Sequence, residues 1–388
     1  MKVLYSHRTR SADGQYVHIE ALTTALAKQG CDLTLCSPDG IEKLDGAARR
    51  RMDAGTGEAK SLKAFMPKAV YELMELAYSV PAWWRLRKAA KKTIPAVIYE
   101  RYNLFFLSGL WLKKQTGLPY ILEVNAPLRE EREKHGGLSL DWLARWTERQ
   151  VWRGADILLP VTQSLADKLI EEGVDPHKIH IMPNGIHAEQ YNSLDNSTIR
   201  NRYDLHGKTV LGFTGFVRDW HGVDMALEYI ASRQNPALHC LIVGDGPHLP
   251  ELKRQTASLS IENHVTFTGV VQRTELPDYV AAFDIALQPR VTSYASPLKL
   301  FEYMAAGKAI IAPAQDNIRE VLEDTRDALL FKPDDEDAFF DALDRLVSDQ
   351  ALRQCLGHAA QQKIQSRDLT WDGNARRVIS LARTLIKS

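Results

Sequence analysis

Short apolar runs alternate with longer stretches in which apolar residues recur every three or four positions, from one end of the chain to the other. The first run, 3–6, leads through a polar loop containing Gly14 into a segment where Val17, Ala21, Leu22, Ala25 and Leu26 share one helical face before Gly30 stops it. Runs at 32–36, 97–100, 120–124, 157–161 and 179–182 predict further strands. Near-continuous apolar strands separated by helices predict a parallel sheet covered on both faces. The stretch 192–208 is polar, has little periodicity and reads as a linker. Beyond it the alternation restarts. Strands are predicted at 210–214, 239–243, 265–268, 285–288, 309–312 and 328–331, helices at 225–232, 275–283 and 297–306, and a helical tail from about residue 335. The expected fold class is α/β, two doubly wound domains covering 1–190 and 208–370. Ligands of such sheets bind beyond the carboxyl ends of the strands, which predicts a site in the cleft between two facing domains.

Composition narrows the function without changing that picture. The 388 residues suit two or three domains of ordinary size, and 45% hydrophobic with 25% charged residues is the balance of a soluble globular protein. Forty-nine Lys and Arg against 49 Asp and Glu leave no net charge, which argues against a general nucleic-acid binder. No run approaches the roughly eighteen apolar residues of a membrane span, and the N-terminus lacks the apolar stretch of a signal peptide. Cys31, Cys36, Cys240 and Cys355 are scattered without a CxxC pair, so neither disulfides nor structural zinc is expected, and a cytoplasmic location is.

Several motifs fall away. A dinucleotide fingerprint needs GxGxxG after a strand, but the loop after Ser6 carries one glycine and Gly244-Asp245-Gly246-Pro247 lacks the third. Gly207-Lys208-Thr209 precedes a strand, where a phosphate-binding loop follows one. The acids from Asp334 to Asp337 read as a helix cap and first turn rather than metal ligands. The strongest cluster spans 293–307. There Ser296 suits an N-cap, Pro297 a first helical residue and Gly307 a stop. Leu298, Phe301 and Ala305 form a packed stripe, leaving Lys299 and Glu302 as polar neighbours near the helix start. Free N–H groups there suit a phosphate, Lys299 adds a full charge, and Glu302 can accept from sugar hydroxyls. An ordinary surface Lys–Glu pair is the alternative.

That cluster has company in Pro183-Asn184-Gly185-Ile186, Thr214-Gly215-Phe216-Val217-Arg218-Asp219-Trp220-His221-Gly222, Leu241-Ile242-Val243-Gly244-Asp245-Gly246-Pro247 and Val265-Thr266-Phe267-Thr268-Gly269-Val270-Val271. In this order and spacing the sequence resembles the retaining GT-B glycosyltransferases of family four (glycosyl transferases group 1) over nearly its whole length. The resemblance implies two Rossmann-like domains, the first binding an acceptor and the second a nucleotide-sugar, with a final helix at about 371–388 crossing back to the first. It also exposes departures. The family's two glutamates eight positions apart would fall on Tyr294 and Glu302. Its loop Arg and Lys would fall on Phe216 and His221, with Arg218 nearby as the replacement. A family His would fall on Asn125.

Transfer requires a nucleoside diphosphate to leave while the anomeric carbon gains oxocarbenium character, and fixed charge can stabilise that departure without a metal. Arg218, Lys299 and Glu302 are therefore the expected catalytic set, with no metal and no cofactor. Gly14, His221, Gly244, Gly246, Val270, Val271, Ser296, Pro297 and Leu298 are expected at the donor, with Glu302 on the ribose hydroxyls and Val270 and Val271 beside the base. Glu123, Asn125 and Tyr294 are expected to contact acceptor or sugar. The expected reaction moves a hexose-type sugar from a nucleotide-sugar, UDP-linked ahead of GDP-mannose, to a glycan or lipid-linked acceptor. A nucleotide-sugar epimerase and a degenerate binding subunit stay open. Finally, 41–92 holds twelve Lys or Arg against six acids, interleaved with Phe65, Met66, Leu73, Met74, Trp83 and Trp84. Tryptophan beside cations suits anionic membrane, predicting peripheral attachment at the inner face; a basic solvent face with packed tryptophans is the alternative.

Overall fold

The computed structural model describes residues 1–9, 14–44 and 66–387. The chain forms two compact units, Met1–Pro183 with Trp371–Ser388, and Asn184–Thr370. In the first unit the elements are β1 (Lys2–Ser6), α1 (Gly14–Lys28), β2 (Asp32–Ser37), β3 (Gly40–Leu44), α2 (Lys68–Ala77), α3 (Ser79–Thr93), β4 (Val97–Arg101), α4 (Ser108–Thr116), β5 (Tyr120–Val124), α5 (Leu128–His135), α6 (Asp141–Gly154), β6 (Ile157–Pro160) and α7 (Gln163–Glu171). The sheet runs β3-β2-β1-β4-β5-β6, parallel except for β3 against β2. The second unit holds α8 (Ser197–Arg202), β7 (Thr209–Thr214), α9 (Asp224–Arg233), β8 (Leu238–Val243), α10 (Leu249–Ser258), β9 (Val265–Phe267), α11 (Leu276–Ala281), β10 (Ile285–Leu287), α12 (Leu298–Ala305), β11 (Ala309–Pro313), α13 (Asp316–Arg319), β12 (Leu329–Phe331), α14 (Glu336–Ser348) and α15 (Gln350–Ser366). Its parallel sheet runs β12-β11-β10-β7-β8-β9. The last helix, α16 (Trp371–Lys387), belongs to the first unit, where it packs on α1 and buries Trp371.

Every residue of β4, β5, β6, β8, β10 and β11 is buried, as a sheet covered on both faces requires. Three expectations are corrected. Segment 179–182 is not a strand; it makes one isolated bridge, Ile179 to Leu158. Segment 192–208 is not a linker. Its helix α8 buries Ile199, followed by buried Leu205, while Arg200 pairs with Asp284 at 2.7 Å. The tail is three helices, because Asp335 and Asp349 each turn a side chain onto the backbone N–H three residues on and start a new one.

Helix α2 is inverted. Glu72 is buried and accepts from the backbone N–H groups of Ser139 and Leu140, at 2.9 and 2.7 Å, just before α6. Glu75 pairs with Arg8 at 3.3 Å and Arg132 at 2.5 Å. Leu76 packs on the core, but most of the apolar side chains of α2 point the other way: Val70, Leu73 and Met74 stay 45%, 51% and 52% exposed. Helical spacing continues this stripe into α3 through exposed Val80 and Trp84. Trp83, expected beside Trp84 on the surface, is instead half-buried against the first unit's core.

Replacing Glu72 by Ala would leave two N–H groups at the start of α6 without their acceptor. Denaturant titration should show a loss of about 1–2 kcal/mol with an unchanged m-value. An unmoved midpoint would mean that water replaces the carboxylate at no cost.

Candidate functional site

At the carboxyl end of β7 the chain turns through Gly215 with φ at +133°. Gly215 N–H donates to Val243 C=O at 2.9 Å, Val217 N–H to Asp245 C=O at 2.9 Å, and Gly244 N–H to Gly269 C=O at 3.0 Å. The loops after β7, β8 and β9 are thus joined backbone to backbone. A Cβ on Gly244 would stand 2.1 Å from the carbonyl oxygen of Gly215, and one on Gly246 2.1 Å from that of Val217. Gly244 and Gly246 therefore serve first to let two loops touch. Val270 projects into solvent beyond Gly269, and Val271 packs half-buried on the core.

Helix α12 begins one residue later than its sequence suggests. Pro297 holds the cap position rather than the first turn, and Leu298 is the first helical residue. Ser296 is not the cap, because its hydroxyl is already engaged. It accepts from Asn184 N–H at 3.2 Å, and the Asn184 amide donates to Ser296 C=O at 2.6 Å. Asn317 fixes the preceding turn by donating to the carbonyls of Thr292 and Ala295, at 3.1 and 2.7 Å, and Tyr294 sits half-buried within it. The packed stripe is Leu300, Phe301, Tyr303, Met304 and Ala305, whereas Leu298 is only half-buried. Tyr303 ties the helix to β7 by accepting from Thr214 N–H at 2.9 Å.

Lys299 and Glu302 leave this frame toward the same place. The Lys299 Nζ is buried without a hydrogen-bond partner, 3.8 Å from the centroid of the Phe213 ring and 3.3 Å from where a Cβ of Gly215 would lie. Burial pushes its pKa down to about 7, against the pull of Glu302. Burial raises the Glu302 carboxyl, opposed by Arg273, Lys299 and a hydrogen bond from Thr214. His221 is driven down to about 3 by burial and then by the charges of Lys299 and Arg218. Its Nδ1 accepts from Arg218 N–H at 3.3 Å, so the neutral ring carries its proton on Nε2 and can donate there. The exposed Arg218 guanidinium lies over two rings, 4.9 Å from Phe216 and 4.7 Å from Trp220. Arg218, His221, Lys299 and Glu302 are thus gathered around Gly215. Sequence reasoning missed Arg273 and Asn317, since neither sits in a motif, and it quoted Asn184 within its motif without giving that side chain a role.

The first-unit residues form a different kind of cluster. Gly14 opens α1, and the loop residues 10–13 lie outside those described. Glu123, expected as a ligand contact at a strand end, is buried completely. It accepts from Tyr99 at 2.7 Å, Arg101 at 2.5 Å and the Asn125 amide, with His18 3.3 Å away. Burial alone would raise its pKa, but His18, Arg101 and the donated hydrogen bonds outweigh it and hold the carboxyl below its usual range. With no exposed surface and three donors of its own unit on it, the carboxylate faces the interior, which corrects that expectation. Asn125 is half-buried, with its amide nitrogen committed to Glu123. Among the described residues no three His, Cys, Asp or Glu side chains converge as metal ligands.

A family model described as glycosyl transferases group 1 matches residues 208–349, and one described as a glycosyl transferase 4-like domain matches 13–185. A D-inositol 3-phosphate glycosyltransferase of Nocardioides sp. is 27% identical over an alignment spanning 97% of this chain and 86% of its own. Among solved structures, sucrose-phosphate synthase of Thermosynechococcus elongatus matches with a TM-score of 0.80 at 18% identity, covering 100% of both chains. HepE of Anabaena, solved in complex with UDP, gives 0.77 at 17% identity over 99% of this chain and 100% of that one. At such identities the structural likenesses bear on the fold alone.

The glycine contacts are open to a direct comparison. Gly246→Ala forces a Cβ into the Val217 backbone, whereas Gly207→Ala meets nothing within 4 Å and strains only its φ of +70°. Thermal unfolding should place the Gly246 variant below the Gly207 variant, by roughly 2 kcal/mol against about 1. The reverse order would mean that the loops separate freely.

Proposed function

We propose, on the premise that this chain belongs to the GT-B group 1 glycosyltransferases, that it moves a hexose-type sugar from a nucleotide-sugar to a glycan or lipid-linked acceptor with retention at the anomeric carbon. In this reading the second unit takes the donor, UDP-linked ahead of GDP-mannose, and the first unit the acceptor. The observation that carries it is the Lys299 ammonium, buried without a partner beside a glycine that leaves room for a phosphate. An unpaired buried cation costs several kcal/mol of lost hydration, and an arriving diphosphate is the complement that would remove that penalty. HepE, which shares the fold, was solved with UDP, a member of that ligand class.

As the glycosidic C–O bond breaks, its electrons pass to the diphosphate. Lys299 and Arg218 would stabilise that charge, with neutral His221 donating from Nε2 and the uncapped start of α12 offering backbone N–H groups. Glu302 would accept from the ribose hydroxyls. The acceptor oxygen would attack the face from which the diphosphate departs, handing its proton to the leaving phosphate, so no protein base is required. With two side-chain cations on the diphosphate, no metal is needed.

The reading extends to a membrane-bound acceptor. Among the described residues nothing covers Val70, Leu73 and Met74 of α2, and exposed Lys88, Lys91 and Lys92 follow along α3. Apolar side chains turned outward beside cations fit an anionic bilayer surface. Of the expected basic stretch, residues 45–65 lie outside those described.

Two experiments test these points. Thermal shift with UDP-, GDP- and ADP-sugars should reveal stabilisation by a cognate donor, and diphosphate release should then require acceptor and survive EDTA. Lys299→Met and Glu302→Ala should stay folded and lose turnover by tenfold or more; wild-type rates in both would remove α12 from the site. Because the Lys299 pKa is depressed to about 7, the amine loses its charge as pH rises through that value. The affinity advantage of wild type over Lys299→Met should therefore shrink toward alkaline pH, by up to roughly tenfold per unit. Turnover of donor without acceptor would indicate an epimerase instead.

For the membrane, the chain should float with anionic vesicles at low salt and be released by high salt. A variant with Leu73, Met74 and Trp84 changed to Ser should stay in the aqueous fraction. Equal absence of wild type from anionic and neutral vesicles would sink the attachment.

A further inference from the structure

The loop that follows β7 presents its residues alternately. Val217 is buried in the second unit's core and bonded to Asp245, whereas Phe216 and Arg218 on either side of it point outward. The next turn is equally fixed: His221 N–H donates to Arg218 C=O, Gly222 takes a left-handed conformation, and Arg290 N–H donates to His221 C=O. The backbone is thus anchored at both ends of a short stretch that shows three large side chains to solvent. Phe216 is 57% exposed and Trp220 39%, and neither belongs to a core cluster of the unit. Burial of apolar area does not account for two such rings. Both touch Arg218, whose guanidinium carbon lies 4.9 and 4.7 Å from their centroids, and Trp220 also meets the His221 ring, centroid to centroid at 6.1 Å.

We propose that Phe216 and Trp220 are positioning residues that clamp Arg218 between their faces and so deliver a fixed cation to the donor's diphosphate. The proposal rests on the donor reading given above. An exposed arginine ordinarily samples many rotamers and loses that freedom when it binds. Aromatic faces restrain the guanidinium through its π face and leave its in-plane N–H groups free, the edge on which phosphate oxygens are met. Among the described residues no carboxylate pairs with Arg218, so the clamp holds the group without neutralising it. The resemblance to the family places an arginine at 216 itself. Here the cation has moved two residues along, and the ring that stands in its former place would hold it.

The test is a double-mutant cycle on the full chain, read by calorimetric affinity for whichever of UDP and GDP the wild type binds. Phe216→Ala and Trp220→Ala should each weaken binding about three- to fivefold, and Phe216→Tyr and Trp220→Phe should restore it. In an Arg218→Ala background the ring truncations should cost nothing further, since there is no cation left to hold. Equal losses in both backgrounds would overturn the clamp and mean that the rings touch the nucleotide themselves. No loss from ring truncation in the wild-type background would also overturn it. Failure of Arg218→Ala alone to weaken binding would overturn the donor assignment of this loop, and the clamp with it. Because both rings are exposed, thermal midpoints should stay close to wild type.

Discussion

No carbon atom can stand 2.1 Å from a carbonyl oxygen, so the approach of the β8 loop to the β7 loop exists only because Gly244 and Gly246 have no side chains. The hydrogen bonds that follow, Gly215 to Val243, Val217 to Asp245 and Gly244 to Gly269, make a rigid frame from three strand ends. Rigidity there decides what the surrounding side chains can do. Gly215 leaves open space into which Lys299 reaches from α12. Asn317 and Asn184 hold the entry to that helix from two other segments. A cation aimed from one element at a gap in another is useful only if neither moves, and here the loops are tied backbone to backbone and the helix entry by asparagine side chains.

The two units dispose of their buried charge in opposite ways. In the first, Glu123 is met by Arg101, Tyr99 and Asn125, with His18 beside it and Trp371 of α16 against the His18 ring. Each charge there has a partner of its own unit, so the network holds β4, β5, α1 and α16 together. Removing one partner of such a set strands the others without water. In the second unit Lys299 has an aromatic face and the pull of the Glu302 carboxylate, but no hydrogen bond. Its depressed pKa records how poorly the surrounding protein accommodates the charge. Complete satisfaction marks a structural ion pair; an unsatisfied cation beside a glycine is what the proposed reading assigns to an anion.

Apolar runs announced eleven of the strands because buried parallel strands have no polar face to disguise them. Strand β3 escaped notice: it lies at the sheet edge, with Glu42 and Lys43 between Ile41 and Leu44. The helix in 192–208 hid behind Asn, Asp and Arg because only a few residues of that segment, Ile199 in the helix and Leu205 after it among them, carry the packing. Within the site, Lys299 and Glu302 were legible from their place at a helix start. The misreading of Ser296 and Glu123 has one cause. Sequence shows a group's capacity to bond, and only three dimensions show that a distant Asn184 or Arg101 has already taken it. Asn317 and Arg273 were invisible for the complementary reason, being ordinary surface types made important by where the fold delivers them.

Frame and charge are separable in this molecule. The glycines that allow the strand-end loops to touch stand where the family resemblance expects them, and replacing any would require backbone to move. The charges have no such constraint. A guanidinium needs only to end at the right point, and a long side chain can reach that point from more than one position along a loop. Phe216 and His221 therefore stand where cations are expected, while Arg218 and Lys299 bring positive charge to the same neighbourhood from a loop residue and from a helix. The substitution at 221 has its own electrostatic logic. A second protonated group beside Lys299 would repel it at short range, whereas a neutral imidazole fixed by Arg218 N–H keeps a donor there without adding charge. A fold tolerates this exchange because its stability comes from the apolar strands and the glycine contacts beneath, and the identity of the cation above them is left to the ligand it must meet.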